Sequence, residues 1–256
     1  MLRGRDGMSR WPVAARRLAV ALAVLAVLLA PSATTLWIST PSGTDLQARV
    51  FDLTQRYGIV LLDPEDIPEM LAKAVVATED ERFYQHHGID SVGLARAVLY
   101  DLSNLCLCQG GSTITEQLVK DVYLGGSDRG YNKLADVVLA LKVEQVLTKQ
   151  EIMADYLSEI TTGFNRRGVS QAACAYFHAP LQFLSLGQYA LLAGVTQAPS
   201  LYDPTVDPGA AEHRRSQVLA SMQSEGFITP AQARAANAEP ILVAGTQQSG
   251  TCAAPA

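Results

Sequence analysis

Two short stretches of the chain bring together side chains that suit a hydroxyl nucleophile and an anionic leaving group. The first, ATEDERFYQHHG at 77–88, places Glu79 next to Asp80 and continues to a histidine pair. The second, GGSTITEQLVKD at 110–121, is a loop of glycines and hydroxyls that leads into a helix carrying Lys120. A carboxylate can take the proton of a hydroxyl, and a helix start can hold an anion. The pairing indicates one site that handles both groups.

Glu79 is the candidate base in the first stretch. Adjacent positions of a helix cannot share one face, so one carboxylate is expected to face a cleft while Asp80 turns aside. Apolar and aromatic neighbours, among them Val75 and Phe83, should raise the pKa of Glu79 by desolvation, which suits a base near neutral pH. The alternative is a solvated helix end whose charges face water. His86 is expected to pack rather than to catalyse.

The second stretch and the loop behind it offer groups for a phosphate-type anion. Ser112 and Thr113 lie at the expected start of a helix, where free backbone N–H groups form an anion site. Lys120 lies two turns further on and is expected to point toward the same cleft. Arg129 follows in the loop GGSDRG, and an arginine can bind two oxygens at once. The alternative is a capped helix with a solvated lysine and a loop arginine.

Almost all periodic signals in the chain are helical. A hydroxyl followed three residues later by a carboxylate or an amide predicts a capping box at Thr113, Thr148 and Ser185. Pro208 fits a first helical position. Strand patterns are limited to about 49–62, so the sequence predicts a mainly α domain.

Asp136 falls in one of these predicted helices. Leu134, Val138 and Leu141 form an apolar stripe along that helix, and Asp136 is expected to lie off the stripe. The next helix, capped by Thr148, should present its own apolar face to the core.

Length and charge bound the functional classes. A chain of 256 residues can hold one sizeable core and a small appendage. The net charge is −5, yet the first 17 residues carry five arginines and one aspartate, so the remainder is more acidic than the total suggests. An acidic body argues against nucleic acid as a partner.

The N-terminus predicts export to the membrane. An apolar run, LAVALAVLAVLLA at 18–30, follows the arginines, and the stretch through Ile38 is long enough to cross a bilayer. We expect a cytoplasmic basic segment at 1–17 and a transmembrane signal-anchor at 18–38, with Trp37 at the outer interface. The alternative is a signal peptide that is cleaved near Ala30.

The four cysteines do not indicate a disulfide scaffold. Cys106 and Cys108 are too close in sequence for an unstrained bridge to each other. Cys174 lies in an apolar helical stretch and is expected to be a buried small hydrophobe. Export permits a disulfide between Cys252 and either Cys106 or Cys108. The spacing of Cys and His does not predict a zinc site.

Together these stretches resemble the glycosyltransferase family 51 peptidoglycan transglycosylases. The first motif's signature positions carry Glu79, Asp80, Phe83, His86 and Gly88, and the loop at 110–121 resembles the second motif. The stretch at 168–204 resembles the last motif, through Ala172, Tyr176, Phe177, Leu184, Leu186, Ala193, Gly194, Ala198, Pro199 and Tyr202. The resemblance covers roughly residues 60–226.

The resemblance implies an architecture and a location. The fold would be a lysozyme-like helical domain with a smaller, membrane-associated lobe, preceded by one transmembrane helix. The domain would occupy 39–237. After it, the Ala, Gly, Gln and Ser content of 238–256 predicts a disordered tail. No room remains for a second catalytic domain, so the chain resembles the monofunctional type. It would lie in the inner (cytoplasmic) membrane as a single-pass protein, with its catalytic domain outside the cytoplasm.

The resemblance also implies an activity, the polymerisation of lipid II into glycan strands. The 4-hydroxyl of an acceptor lipid II would attack the anomeric carbon of the lipid-linked glycan, with inversion and release of undecaprenyl pyrophosphate. Glu79 is the expected base and Asp136 the second carboxylate. The pyrophosphate clamp would be Lys120 and Arg129, and the supporting contacts would come from Ser112, Thr113, Gln117 and Asp80. A need for Mg²⁺ or Mn²⁺ stays open, and cell-wall synthesis proteins are expected partners.

Five positions depart from the family's pattern. Asp136 stands where a glutamate is usual, and the others are Glu116 for Gln, Ser158 for Asn, Ala179 for Lys and Gln188 for Glu. Aspartate is one methylene shorter, and a displacement of about 1 Å can cost about 100-fold in rate. Two other functions stay open: a non-catalytic protein that binds lipid II or glycan in a regulatory or scaffolding role, and a glycan-cleaving enzyme.

Overall fold

The computed structural model describes residues 30–106, 111–127, 130–163 and 166–241, together with positions 15, 17 and 20. It divides into two compact units, Met1–Pro41 and Ser42–Ala256. In the first unit residues 30–39 are helical. No helix among the described residues is long and apolar enough to span a bilayer. Most of the predicted anchor at 18–38 lies outside the described residues, as does most of the tail at 238–256, so both stay predictions.

The second unit is mainly helical, which confirms the predicted class. Its helices are α1 (Leu46–Tyr57), α2 (Glu69–Glu79), α3 (Ser91–Asn104), α4 (Ile114–Leu124), α5 (Tyr131–Val143), α6 (Lys149–Glu159), α7 (Val169–Phe177), α8 (Leu186–Gln197), α9 (Pro208–Ser224) and α10 (Pro230–Asn237). Short 3₁₀ turns occur at Pro64–Asp66, Phe83–Gln85 and Leu181–Phe183. Two short strands, β1 (Thr161–Gly163) and β2 (Arg166–Arg167), pair antiparallel between α6 and α7. The lysozyme-like topology and the membrane lobe stay predictions.

The predicted caps form as the local sequence requires. Thr113, Thr148 and Ser185 each accept a hydrogen bond from the backbone N–H three residues on, and the side chain there returns one. Pro208 opens α9 behind the cap Asp207. These contacts satisfy backbone donors that a helix start leaves free. Helix starts are therefore well predicted in this chain.

The predicted strand at about 49–62 is wrong, because α1 covers most of that range. Leu46, Val50 and Thr54 are its buried residues, and their spacing of four places them on one helical face. The helix ends at Gly58, which adopts the left-handed conformation that closes many helices. The strands that do form are too short to give an alternating pattern.

The core is centred on α8, which is buried over almost all of its length. It packs against α2 on one side and against α9 on another, and α9 also contacts α2. The largest fully buried side chains include Tyr156, Tyr176 and Phe83. This three-helix contact fixes the C-terminal end of α2, where Glu79 lies.

The apolar stripe predicted for α5 is only partly correct. Leu134 is 58% exposed, whereas Leu139, Ala140 and Val143 join the core. The buried face is rotated from the predicted stripe, because α5 packs against α4. Asp136 lies on the buried side of the helix and is 1% exposed.

Cysteine usage also differs from the prediction. Cys106 and Cys174 are both disulfide-bonded, so Cys174 is not a buried free thiol. Cys108 and Cys252 lie outside the described residues. Disulfide-bonded cysteines are consistent with an exported body.

Candidate active site

Glu79 is the last residue of α2 and is held by a short hydrogen-bonded chain. Its Oε2 accepts a hydrogen bond from Gln117 Nε2 at 2.9 Å, and Gln117 Oε1 accepts one from the Tyr156 hydroxyl at 3.2 Å. Burial raises the pKa of Glu79, while the Gln117 hydrogen bond and the charge of Arg214 oppose that rise. The predicted desolvation of Glu79 is confirmed in direction. A partly desolvated carboxylate of this kind suits a general base.

Asp80 ends α2 with a non-helical backbone (φ −160°, ψ 77°), and its carboxylate is bound to protein groups. Its carboxylate accepts hydrogen bonds from His86 Nε2 at 2.9 Å and from the backbone N–H of Ile114 at 3.1 Å. His86 is buried and packs against Phe83, so it has the structural role expected of it. Asp80 therefore joins the first motif to the start of α4.

The start of α4 is not the free anion site that the sequence predicts. The Ile114 N–H is taken by Asp80, and the Glu116 N–H by Thr113 Oγ1 at 3.1 Å. Thr113 Oγ1 also donates to the carbonyl of Gly88 at 2.7 Å. The chain's own carboxylate and hydroxyl thus occupy donors that were expected to meet substrate. Thr113 and Asp80 line a cavity, but their polar atoms are bound to protein.

Lys133 is the centre of a charged cluster that sequence reasoning missed. Its ammonium lies 3.0 Å from Ser112 Oγ and 3.3 Å from both Glu116 Oε1 and Asp136 Oδ2. Burial raises the pKa of Glu116 and of Asp136, and Lys133 opposes both shifts. Burial by itself lowers the pKa of Lys133, but the two carboxylates raise it above its ordinary value. The sequence did contain a signal for this cluster, because Lys133 and Asp136 are three positions apart on one helix and can pair.

Lys120 points toward the same region, as predicted. It lines a cavity together with Glu79, Gln117 and Asp121. Its charge lowers the pKa of both Glu79 and Asp136, against the larger effect of burial on each. Lys120 therefore lies within electrostatic reach of both candidate carboxylates. Arg129, the other predicted cation, lies outside the described residues.

Two cavities meet at Glu79. One has a volume of about 520 Å³ and extends past Ser112, Gly93 and Arg96; the other, of about 490 Å³, extends past Lys120, Thr161 and Pro199. Their common lining consists of Glu79, Gln117 and Gln197. A base on a wall shared by two cavities can reach a group bound in either.

Arg214 is a second residue that sequence reasoning missed. It lies on α9, is buried, and acts on Glu79 more strongly than any other charged group. Nothing in the local sequence around Arg214 distinguishes it from an ordinary helix-surface arginine. Arg214 and Glu79 lie on helices that pack against each other, α9 and α2, which the local sequence does not indicate.

Comparison with known proteins identifies the family. The model of the family described as Transglycosylase matches residues 48–223. Penicillin-binding protein 1A of Vibrio cholerae is 42% identical over 178 residues, which is 70% of this chain and 22% of that protein. Penicillin-binding protein 1A of Escherichia coli is 42% identical over 168 residues, which is 66% of this chain and 20% of that protein. Penicillin-binding protein 1A of Aquifex aeolicus is 41% identical over 179 residues, which is 70% of this chain and 25% of that protein.

The chain spans between a fifth and a quarter of the length of these relatives. A crystal structure of penicillin-binding protein 1A from Haemophilus influenzae covers 73% of the chain, and the chain covers 18% of that structure. The sequence identity is 24% and the TM-score 0.45, too low to support a conclusion about fold. The family assignment depends on the family model and the sequence relatives, and it agrees with the motifs read from the sequence. By these matches the chain belongs to the transglycosylase family.

Proposed function

We propose that this protein is a peptidoglycan glycosyltransferase that polymerises lipid II into glycan strands. The observation that carries the proposal is the position of Glu79 on the wall shared by two cavities. A polymerase must hold two sugar substrates at once, a donor linked to pyrophosphate and an acceptor with a free hydroxyl. Two cavities that meet at one partly buried base meet that requirement, and the family relatives support it.

The proposed reaction has one bond-forming and one bond-breaking event at the donor's anomeric carbon. Glu79 takes the proton of the acceptor's 4-hydroxyl as that oxygen attacks the anomeric carbon. The bond from this carbon to the pyrophosphate oxygen breaks on the opposite face, so the configuration inverts. The proton stays on Glu79 until it passes to solvent, and undecaprenyl pyrophosphate leaves. Gln117 holds Oε2 of Glu79, and the other carboxylate oxygen, Oε1, is buried without a hydrogen-bond partner.

The leaving pyrophosphate needs cations, and the structure offers two near the base. Lys120 lines the smaller cavity. Lys133 donates a hydrogen bond to Ser112, and Ser112 lines the larger cavity. An ammonium has three N–H donors, and the three close acceptors of Lys133 account for all of them. A phosphate oxygen would therefore replace one of these acceptors when substrate binds. Arg129 stays a proposed third cation.

Asp136 is the proposed second carboxylate. Its Oδ2 contacts Lys133, while its Oδ1 is buried without a hydrogen-bond partner. Magnesium is commonly held by one or two carboxylates together with substrate phosphates. Within the described ranges no group of three or more His, Cys, Asp or Glu side chains could hold a metal ion by itself. Asp136 Oδ1 thus fits a Mg²⁺ or Mn²⁺ that arrives with the pyrophosphate, and the ion would supply charge neutralisation there.

Membrane attachment is part of the proposal. Helix α3 exposes a broad apolar surface, made of Val92, Leu94, Val98, Leu99, Leu102 and the following Leu105. Exposed apolar patches of this kind mark interaction surfaces, and a lipid-linked substrate requires one against the bilayer. We expect Leu99→Asp to lower kcat/KM for long-chain lipid II more than for a short-chain analogue. Equal loss on both substrates would argue against this role of α3.

The test of the function uses purified full-length protein with labelled lipid II and Mg²⁺. We expect glycan strands of many disaccharides with β linkages, and release of undecaprenyl pyrophosphate. Soluble fragments from preformed glycan would instead indicate a cleaving enzyme.

A binding function without turnover is the second candidate. It is favoured by the close engagement of Lys133 with both Glu116 and Asp136, which neutralises a cation that the pyrophosphate needs. It predicts saturable lipid II binding by the wild type with no polymer. An active Asp136→Glu variant of a silent wild type would show a catalytic site impaired at one carboxylate.

A further inference from the structure

Two segments from different parts of the chain contribute to the lining of the smaller cavity at Glu79. The β1–β2 hairpin contributes Thr161 and Gly163, and the turn that follows α8 contributes Pro199 and Ser200. The strands of the hairpin are only three and two residues long, so backbone pairing alone stabilises it weakly. The width of the cavity therefore depends on the contacts that hold the hairpin to the turn.

An ion pair joins these two segments. Nη1 of Arg166, on β2, lies 3.1 Å from Oδ2 of Asp203, at the end of the turn. The side chain of Asp203 is 1% exposed, whereas that of Arg166 is 30% exposed. The other carboxylate oxygen of Asp203 accepts hydrogen bonds from the backbone N–H and the hydroxyl of Thr205, at 2.9 Å and 2.6 Å. Asp203 is therefore fixed within its own loop, and Arg166 attaches the hairpin to it.

Tyr176, on α7, contacts the same ion pair and the hairpin. Its hydroxyl donates to the carbonyl of Thr162 on β1 at 2.6 Å, and the guanidinium of Arg166 lies 5.2 Å from the centre of its ring. A Cβ added at Gly163 would collide with the Tyr176 hydroxyl and would lie 2.9 Å from Asp203 Oδ2. The hairpin thus approaches the loop so closely that a larger residue at Gly163 would displace one of them.

We propose that Arg166 is a positioning residue for substrate: by pairing with Asp203 it holds the hairpin against the turn after α8, and so sets the width of the smaller cavity for the pyrophosphate of the lipid-linked donor. This inference rests on the proposed function, in which Lys120 of that cavity meets the pyrophosphate. Arg166 acts through the hairpin that it anchors, which contributes Thr161 and Gly163 to the lining.

The burial of Asp203 makes this position sensitive to loss of the cation. Removing one partner of a buried ion pair leaves a charge without compensation, which is much less favourable than keeping the pair. In an Arg166→Met variant we expect the turn to move until water reaches the carboxylate, which separates the turn from the hairpin. The hydrogen bond from Gln117 to Glu79 is not altered by this change. Substrate binding should therefore weaken while the chemical step is kept.

Lys149 offers a matched control. Its ammonium lies 2.7 Å from a carboxylate oxygen of Glu144, whose side chain is 3% exposed. The same oxygen accepts a hydrogen bond from the Thr115 hydroxyl at 2.6 Å, as Asp203 does from a threonine. Lys149→Met thus also removes the cation beside a buried carboxylate. Its ion pair joins the end of α5 to the start of α6, and the two cavities at Glu79 are lined by other residues.

The experiment measures KM and kcat for lipid II in full-length wild type and its variants. Arg166→Met should raise KM by about 10-fold, with less than about a twofold change in kcat. Arg166→Lys keeps the charge and should restore most of the lost affinity. Lys149→Met should keep the wild-type KM. An unchanged KM in Arg166→Met would overturn the inference, as would an equal rise in Lys149→Met.

A double-mutant cycle tests whether the two side chains act as one unit. Asp203→Asn should raise KM to a similar extent, because asparagine keeps the shape of the side chain but lacks the charge that pairs with Arg166. The double variant Arg166→Met/Asp203→Asn should have a KM no higher than either single variant, since the pair is already lost in each. Additive increases in KM would show that the two residues act independently and would overturn the inference.

Hydrogen exchange separates this inference from the proposed function. In Arg166→Met, backbone amides of both the hairpin and the turn at 198–203 should exchange at least about 10-fold faster than in the wild type, and in Lys149→Met at the wild-type rate. This expectation holds whether or not the wild type polymerises lipid II. If the wild type makes no polymer but both segments exchange faster in Arg166→Met, the function fails and the contact between the two cavity walls stands. Unchanged exchange in either segment overturns the inference even for an active enzyme.

Discussion

The Asp80 carboxylate accepts a hydrogen bond from the backbone N–H of Ile114 at 3.1 Å, and this contact ties the end of α2 to the start of α4. The same carboxylate holds His86. The two motifs that carry the candidate chemistry are thus fixed to each other by a buried acid next to Glu79. Of the two adjacent acids of the first motif, Glu79 lines both cavities, whereas the carboxylate of Asp80 is bound to protein groups of two elements.

Asp80→Ala should lower the free energy of unfolding by about 3 kcal/mol, because it leaves two buried donors, on His86 and Ile114, without a partner. Urea unfolding of full-length protein measures this change. Glu81→Ala is the control, since its ion pair with Arg96 is exposed and should contribute no more than about 1 kcal/mol. An Asp80→Ala variant with wild-type stability and no activity would instead place Asp80 in contact with substrate.

Glu116→Gln should strengthen pyrophosphate binding by about fivefold, or ~1 kcal/mol, a typical value for one partly exposed charge pair. Glutamine keeps the acceptor that the Thr113 N–H needs, so the capping box of α4 should survive. It removes one of the two carboxylates that neutralise Lys133. Competition of inorganic pyrophosphate with lipid II gives the affinity.

The control for that change is Glu69→Gln, which removes an equal charge from an exposed pair on α2. It should leave the pyrophosphate affinity at the wild-type value. If Glu116→Gln also leaves the affinity unchanged, Lys133 does not contact the pyrophosphate.

Asp155→Asn should stabilise the protein at alkaline pH. Burial raises the pKa of Asp155 to about 7, and the charge of Glu151 adds to the rise. Between about pH 4 and pH 7 the folded state holds a proton that the unfolded state has released, so stability falls as pH rises through this window and then levels off. The variant lacks this titration, so it should exceed the wild type by about 2–4 kcal/mol at pH 8 and match it near pH 4.

Urea unfolding at a series of pH values tests this dependence. Glu65→Gln, at an exposed carboxylate of the turn Pro64–Asp66, should keep the wild-type slope. If the difference in unfolding free energy between the wild type and Asp155→Asn is the same at pH 5 and at pH 8, Asp155 is solvated.

Local signals explain what the sequence could predict. Helix starts such as Thr113 depend on residues three positions apart, and Lys120 reaches the cavity because its helix begins at a predictable place. These features need no knowledge of tertiary packing, so residue types and spacing suffice.

Features that depend on packing were missed. Arg214 lies 135 positions after Glu79, on a helix, α9, that packs against α2. Lys133 reaches Ser112 because α5 packs on α4 in a rotation that the apolar stripe did not predict. The sequence predicts Asp136 off the apolar stripe, yet the structure buries it. Lys133 on the same face pairs with it and compensates part of the free-energy cost of burying its charge.

The most direct test of Glu79 as the base compares glycan synthesis from lipid II by the full-length wild type, Glu79→Gln and Glu69→Gln. The two variants make the same chemical change on one helix, at a partly buried site residue and at an exposed one. We predict long strands from the wild type and Glu69→Gln, with a loss of at least ~100-fold in kcat/KM for Glu79→Gln. A Glu79→Gln variant that polymerises at the wild-type rate would contradict this prediction.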